Sequence, residues 1–244
     1  RQQETYTVGR DTCYGCPIRC KWVVEVNDEK YPVDPKYGGP EYETTGAMGS
    51  VCGIDDLRVV NRANQLCNAY GLDTIGTGVT IGLAMECFER GLIGPKDTGG
   101  LELRFGNADA LLTIIEQIAR REGFGNVLAN GSRRAAQHIG GNAIEYAVQI
   151  KGQEVAMHDP RIKYGHGLGI AVSPTGADHM HNVHDNALTS KGGIANLEPF
   201  CILEPLPFED LSVDKARMMR YAIMWRVVDN LLGACVFHDW TRQQ

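Results

Sequence analysis

The chain has no second C-x-x-C pair, although it carries eight cysteines. Structural zinc sites are usually built from two such pairs, or from cysteine and histidine pairs, so that layout has little support. A basic stripe is also missing: Lys+Arg number 24 against Asp+Glu 30, a net charge of -6. Nucleic acid binding therefore has no electrostatic basis. No apolar run is long enough to span a bilayer, no signal peptide is visible, and no solenoid repeat is found. A disulfide framework is not needed either. With 244 residues, 43% of them hydrophobic, the chain can bury an ample core. The thiols then read as reduced, in a reducing cytoplasm. The chain opens on Arg1-Gln2-Gln3 and stops at Arg242-Gln243-Gln244. Neither end reads as a natural terminus, so a piece of a longer protein is expected.

What is present starts with Asp11-Thr12-Cys13-Tyr14-Gly15-Cys16-Pro17-Ile18-Arg19-Cys20. Three cysteines spaced C-x-x-C-x-x-x-C can aim their sulfurs at one point. The radical-SAM triplet has its long gap first, and the ferredoxin run adds another C-x-x-C step. A [4Fe–4S] cluster fits best, with zinc and inert thiols as the other readings. The fourth ligand must come from elsewhere, and Cys235 is the best distant candidate. Cys52, Cys67, Cys87 and Cys201 are left as packed thiols.

Periodicity reads mostly as helix. Lys21 to Val33 alternates apolar and charged residues, as a short hairpin after the cysteine motif. Asp55 or Asp56 caps a helix to Tyr70, stopped by Gly71, with Leu57, Val60, Ala63, Leu66 and Cys67 on one face. Asp73 opens a second helix that stops at Gly91. Its glycines, Gly76, Gly78 and Gly82, signal a close neighbour, either a helix or a ligand. Asn107 or Asp109 caps a third helix, and a fourth runs from Asn126 to His138. Residues 145–157 look extended. Asp214 caps a long helix from Lys215 to Asn230, with Met218, Ala222, Trp225 and Val228 on one stripe. The simplest division falls near Ala147, giving parts 1–147 and 148–244.

Two motifs repeat. Asn68-Ala69-Tyr70-Gly71-Leu72-Asp73 ends the first long helix, and Asn230-Leu231-Leu232-Gly233-Ala234-Cys235 ends the last. Both read N-x-x-G-apolar-(D or C). Each glycine can end its helix in a left-handed turn, leaving carbonyls and the next amide open to a ligand. A plain helix stop is the competing reading of each motif alone. The histidines His158, His166, His181 and His184 gather in the glycine-rich second half. A mononuclear metal site from them is an open reading, although none sits at H-x-x-x-H spacing on a helix.

Taken together, these pieces resemble the tungsten-dependent aldehyde ferredoxin oxidoreductase family. The cysteine run and the paired N-x-x-G motifs carry the resemblance. So do Gly39-Pro40-Glu41-Tyr42-Glu43-Thr44, Lys151-Gly152-Gln153-Glu154, Met157-His158-Asp159-Pro160-Arg161 and Ser173-Pro174-Thr175-Gly176-Ala177-Asp178-His179. They occur in the family's order along nearly the whole chain. The resemblance implies a mainly α, multihelical fold: the family's two helical domains, without its N-terminal β domain. It implies a tungsten (or molybdenum) bis-molybdopterin beside a [4Fe–4S] cluster. Cys13, Cys16, Cys20 and Cys235 match the cluster ligands. Asn68, Gly71, Leu72 and Asp73 match one pterin motif; Asn230, Gly233, Ala234 and Cys235 match the other. The family usually begins both motifs with Asp. Asparagine keeps the acceptor and adds a donor, and Asp229 can substitute at the second motif. Glu43 matches the active-site glutamate, and His179 the active-site histidine, with His181 as an alternative. One family branch holds an iron at a dimer interface through a Glu and a His; around Arg62 no such pair occurs.

The chemistry implied is oxidation of an aldehyde to a carboxylic acid, with electrons leaving through the cluster to ferredoxin. A buried glutamate can take a proton near neutral pH, and a neutral histidine can hold a carbonyl oxygen. The alternatives are a low-potential tungsten reductase acting on a carboxylate or activated aromatic acid, and a cluster-only electron-transfer subunit. Implied partners are ferredoxin, a small aldehyde or acid substrate, the absent N-terminal β domain and a second copy in a homo-oligomer. Neither nucleic acid nor membrane is expected, and the location implied is cytoplasmic. The 244-residue chain alone is expected to be inactive.

Overall fold

Short alternating segments on either side of the cysteine run pair as an antiparallel ladder, β1 (Thr7–Asp11) with β2 (Lys21–Val24). β2 does follow the motif, but its partner precedes it, so the cysteine loop is the connection of the hairpin. The Lys21–Val33 pairing survives as one bridge, Val26 with Val33. Arg10 lies 3.6 Å from the ring centre of Trp22 across this ladder, a cation–π contact that ties the two strands. The computed structural model describes residues 5–235 and 237, and it divides into units Arg1–Met157 and His158–Gln244.

The first unit is helical beyond the hairpin. Its elements are α1 (Tyr42–Thr45), α2 (Leu57–Tyr70), α3 (Thr74–Glu89), α4 (Ala108–Arg120), α5 (Gly125–Leu128) and α6 (Ser132–Ile139). A two-stranded hairpin, β3 (Gln149–Ile150) and β4 (Gln153–Glu154), closes it. Local caps set several boundaries as expected. Asp56, Asp73 and Asn107 each accept a hydrogen bond from a first-turn amide, and Gly71 ends α2 at φ 69°.

α3 is buried nearly all round. Its glycines answer a helical neighbour: α1 continues into a π turn (Gly46–Ser50), and a Cβ on Gly78 would lie 2.7 Å from the Ala47 carbonyl. Ile81 and Met85 pack with Met48, Leu111, Ile114 and Ile115 in the core.

The expected helix from Asn126 to His138 is two helices. Gly131, at φ 84°, breaks it, and Glu154 from β4 accepts the Ser132 N–H at 2.7 Å to start α6. The same bond draws the β3–β4 hairpin into the first unit, beyond the expected division at Ala147.

The second unit contains α7 (Tyr164–Val172), α8 (Lys191–Ile194) and α9 (Val213–Leu231). The cap of α9 is Ser212, which accepts from the Lys215 N–H, and not Asp214. Asp214 sits inside the first turn, where a negative charge suits the helix N-terminus. The buried face also differs from the expected stripe. Met218, Met219 and Ala222 enter the core, while Val228 is 49% exposed. Arg226 and Asp229 take the inner positions instead, joined at 3.5 Å.

At the heart of this unit lies a buried ion pair. Lys215 Nζ is 3.1 Å from Asp185 Oδ2, both side chains almost fully enclosed. Nζ also donates to the Pro207 carbonyl at 2.8 Å. Asp185 meanwhile accepts from the Gly165 and His166 amides at the start of α7. Among the described residues no helix is long and apolar enough to cross a membrane.

Candidate functional site

The cysteine loop is built to present its sulfurs. Gly15 at φ 69° and the Cys16 N–H to Cys13 carbonyl bond (3.0 Å) form a tight turn. The Thr12 hydroxyl donates to the Cys13 and Cys16 carbonyls and holds the turn from below. Arg19 and Arg10 exchange guanidinium-to-carbonyl bonds across the neck, at 3.0 and 3.4 Å. Cys13 is exposed, Cys16 and Cys20 half-buried, and all three are free thiols. The two arginines and Lys21 put positive charge on the strands that flank this loop. The sequence reading named the sulfurs and missed these cations.

Three free cysteines on one short loop are a donor set that an iron–sulfur cluster can use. A cluster spreads its thiolates over several irons and accepts a more open loop.

Beside β2 opens a cavity of about 830 Å³. It is lined by Glu43 from α1, by Asn68 at the end of α2, and by Leu72 and Asp73 before α3. Lys21 and Asn64 share its wall. Asp11 of the cysteine run lines it too, so residues from three separate motifs meet on one concave surface. Glu43 Oε2 accepts the Met157 N–H at 2.8 Å, which fixes the carboxylate from outside its own short helix.

The two repeated motifs share one backbone pattern. In the first, Gly71 N–H reaches the Asn68 carbonyl (3.4 Å) and Leu72 N–H the Cys67 carbonyl (2.8 Å). In the second, Gly233 N–H reaches Asn230 (3.1 Å) and Ala234 N–H reaches Asp229 (2.9 Å). The glycines sit at φ 69° and 67°. The amide after each glycine was expected to be open to a ligand; it is instead closed back onto its helix, because this cap satisfies it internally. The side chains are engaged too. Asn68 Nδ2 donates to the Tyr37 carbonyl at 2.9 Å, and Asp73 caps α3. What each motif offers a ligand is its surface around the glycine, where no atom lies within 4 Å of a Cβ position. In the second unit Asp229 is buried beside Arg226, whereas Asn230 and Cys235 are exposed.

His179 lies among other histidines. Its ring is 5.4 Å from His158 and 5.7 Å from His184, centre to centre, and His166 stacks on His184 at 4.8 Å. His181 is half-buried and outside this group. Burial pushes the His184 imidazole down to about 3, helped by the neighbouring histidines and Lys163. Burial likewise pushes His166 down to about 4, with His158 and Lys163 acting in the same direction against the Val183 backbone and Asp185. Both rings are therefore neutral at pH 7.

The frame is mainly helical, with a three-cysteine loop, a cavity beside β2 and twin glycine caps. The family model described as "Aldehyde ferredoxin oxidoreductase, domains 2 & 3" matches residues 1–244, and the chain belongs to that family. It is 43% identical over 237 residues to the tungsten-containing aldehyde ferredoxin oxidoreductase of Pyrococcus horikoshii, covering 95% of this chain and 36% of that protein. The Pyrococcus furiosus counterpart is 42% identical over 236 residues, with the same coverage. An aliphatic sulfonate oxidoreductase, WOR-like subunit, of Pyrococcus furiosus is 34% identical over 185 residues, 73% of this chain and 29% of that one. The solved active-site complex of benzoyl coenzyme A reductase with 1,5-dienoyl-CoA superposes with a TM-score of 0.70 at 22% identity. The match covers 96% of this chain and 38% of that one, and it bears on the fold alone. The multihelical architecture expected from the resemblance is the one observed. The chain spans about a third of the length of the curated relatives it matches.

Proposed function

We propose that the protein to which this chain belongs oxidises an aldehyde and water to a carboxylic acid. Two electrons and two protons are released, and the electrons pass to ferredoxin. Cys13, Cys16, Cys20 and Cys235 would hold a [4Fe–4S] cluster. The surfaces around Gly71 and Gly233 would hold the two pterins of a tungsten bis-molybdopterin, with Asn68, Leu72 and Asp73 on one side and Asp229, Asn230 and Ala234 on the other. When bound, that group supplies the two-electron acceptor, and the cluster carries electrons away singly. Glu43 takes the proton released from water at the aldehyde carbon. His179 donates a hydrogen bond to the carbonyl oxygen and offsets the charge that develops there.

The observation that carries this reading is the shared cavity. Glu43 and the first glycine motif, distant in sequence, line one space beside β2. The 43% identity to a tungsten-containing aldehyde enzyme points the same way. The part of the relatives that this chain does not span would cover the rest of the cofactor. The test is metal and pterin analysis of full-length protein purified without oxygen. Tungsten, pterin and iron together are expected. Iron alone would leave a cluster-only electron carrier.

The similarity to the WOR-like subunit of an aliphatic sulfonate oxidoreductase favours a second reading, in which the same machinery serves a different substrate. A panel of aliphatic aldehydes, aromatic aldehydes and sulfonates, with reduction of the enzyme as the readout, separates the two.

A further inference from the structure

The histidine group of the second unit has a geometry of its own. One ring nitrogen from each of His158, His179 and His184 lies within 4.8 Å of the other two. They come from three places in the chain: the segment before α7, the turn after Asp178 and the entry to the turn at Asp185. Each is fixed by a neighbour. Asp178 accepts from the Met180 and His181 amides at 2.7 and 3.0 Å and so sets the turn after His179. Asp185, next to His184, is locked by Lys215. His158 and His184 are 4.1 Å apart between ring centres and tilted by 58°, so they do not stack in parallel. His184 Nδ1 is buried without a hydrogen-bond partner. Three imidazole nitrogens brought this close repel one another when the rings are protonated. One shared cation turns the same arrangement into three bonds.

We propose that His158, His179 and His184 form a binding site for a divalent transition-metal ion of zinc-like softness, held by three imidazole nitrogens, with a fourth position left for water or a small ligand. All-nitrogen donors suit zinc, cobalt or nickel; calcium and magnesium need oxygen ligands. Lys163 Nζ stands 3.3 Å from His158 Nδ1 and competes for the same ring. His166 stacks on His184 and restrains its ring. A histidine that ligates through one nitrogen carries N–H on the other, so His179 can serve this site and still donate to a substrate oxygen. The site rests on this geometry and not on the tungsten reading.

The test uses Co2+ alone, titrated into the chelator-treated chain. The cysteine loop also takes such ions, so the titration is run in C13S/C16S/C20S. One Co2+ per chain is expected, with the visible bands of tetrahedral cobalt and no sulfur charge-transfer absorption. His158→Gln and His184→Gln should each weaken binding at least about tenfold, while His138→Gln in the first unit should not change it. Lys163→Gln should bind severalfold more tightly, since one competing cation is gone. No binding in the triple variant, binding that the His158 and His184 variants leave unchanged, or weaker binding in Lys163→Gln overturns the proposal. Should the histidine variants fail to fold, imidazole 15N shifts on adding Zn2+ to the C13S/C16S/C20S chain decide it. Three histidines must respond together, and silence from them overturns it. A protein lacking tungsten leaves this titration untouched, so the two readings fail independently.

Discussion

Single side chains in this protein divide into those meant to react and those packed away. Burial pushes the Cys52 and Cys67 thiols up to about 12 and Cys87 up to about 11, with nearby carboxylates adding to it at Cys67 and Cys87. A thiol reacts as thiolate, so at pH 8 about one Cys52 in ten thousand is reactive. Raising the pH from 7 to 9 raises that fraction a hundredfold and still leaves it near one in a thousand. Alkylation of the native, cluster-free chain should therefore label Cys13, Cys16, Cys20, Cys201 and Cys235 throughout this range and spare the other three. Peptide mass spectrometry reads the pattern directly, and rapid labelling of Cys52 would contradict its burial. Glu43 is the proposed proton acceptor. Its carboxylate is held by the Met157 amide at the wall of the cavity. In the full-length holoenzyme Glu43→Gln should lower kcat by at least about a hundredfold with metal content unchanged. His179→Asn should do similar damage, with a rise in KM if it also binds substrate. A kcat within a factor of a few of wild type would remove Glu43 from proton transfer.

Elements are set by two kinds of contact, and glycine separates them. Gly78 on α3 is needed for space: a Cβ there would press on the Ala47 carbonyl 2.7 Å away. Gly71 is needed for its backbone: φ is 69° and nothing lies within 4 Å of a Cβ. Gly78→Ala should destabilise by about 1–3 kcal/mol, because α1 and its π turn must shift. Gly71→Ala should cost about 1 kcal/mol, from the left-handed conformation alone. Urea midpoints give both values. Only Gly78→Ala should also disturb the Glu43 wall, since α1 carries that residue. At α7 and α9 a charge pair does the joining. Asp185→Asn leaves Lys215 charged and enclosed, a loss of about 3–5 kcal/mol. Amide exchange in α7 and α9 should rise accordingly; protection equal to wild type would mean that the pair contributes nothing net.

At the scale of the whole molecule, the chain's two ends carry parts of one proposed centre. Cys13, Cys16 and Cys20 lie in the first unit, and Cys235 in the second. Cys235→Ala should leave a labile three-ligand cluster, visible as loss of one iron and a changed spectrum in anaerobically reconstituted protein. A full complement of iron would move the fourth ligand elsewhere. The chain covers 36% of its tungsten-containing relative. Expressed alone, it should hold little tungstopterin, because one face of that group would stand in water. Stoichiometric tungsten on the chain alone would refute this.

The sequence by itself determined what is decided within about one helical turn. Asp56, Gly71, Asp73 and Asn107 mark boundaries because a cap bonds to amides three or four residues away. The cysteine loop and the twin glycine motifs are local in the same sense, and so was the family resemblance that rests on them. Tertiary structure alone decided the rest. Gly131 ends a helix and Glu154, from a distant strand, starts the next; no local pattern announces that pairing. Lys215 and Asp229 of α9 both turn inward, because partners at Asp185 and Arg226 make burial tolerable. Glu43 meets Asn68 and Asp73, and three histidines meet one another, only through packing of segments far apart along the chain. Long-range contacts of that kind depend on the volume and charge of many residues at once, and no spacing along a single strand of sequence encodes them.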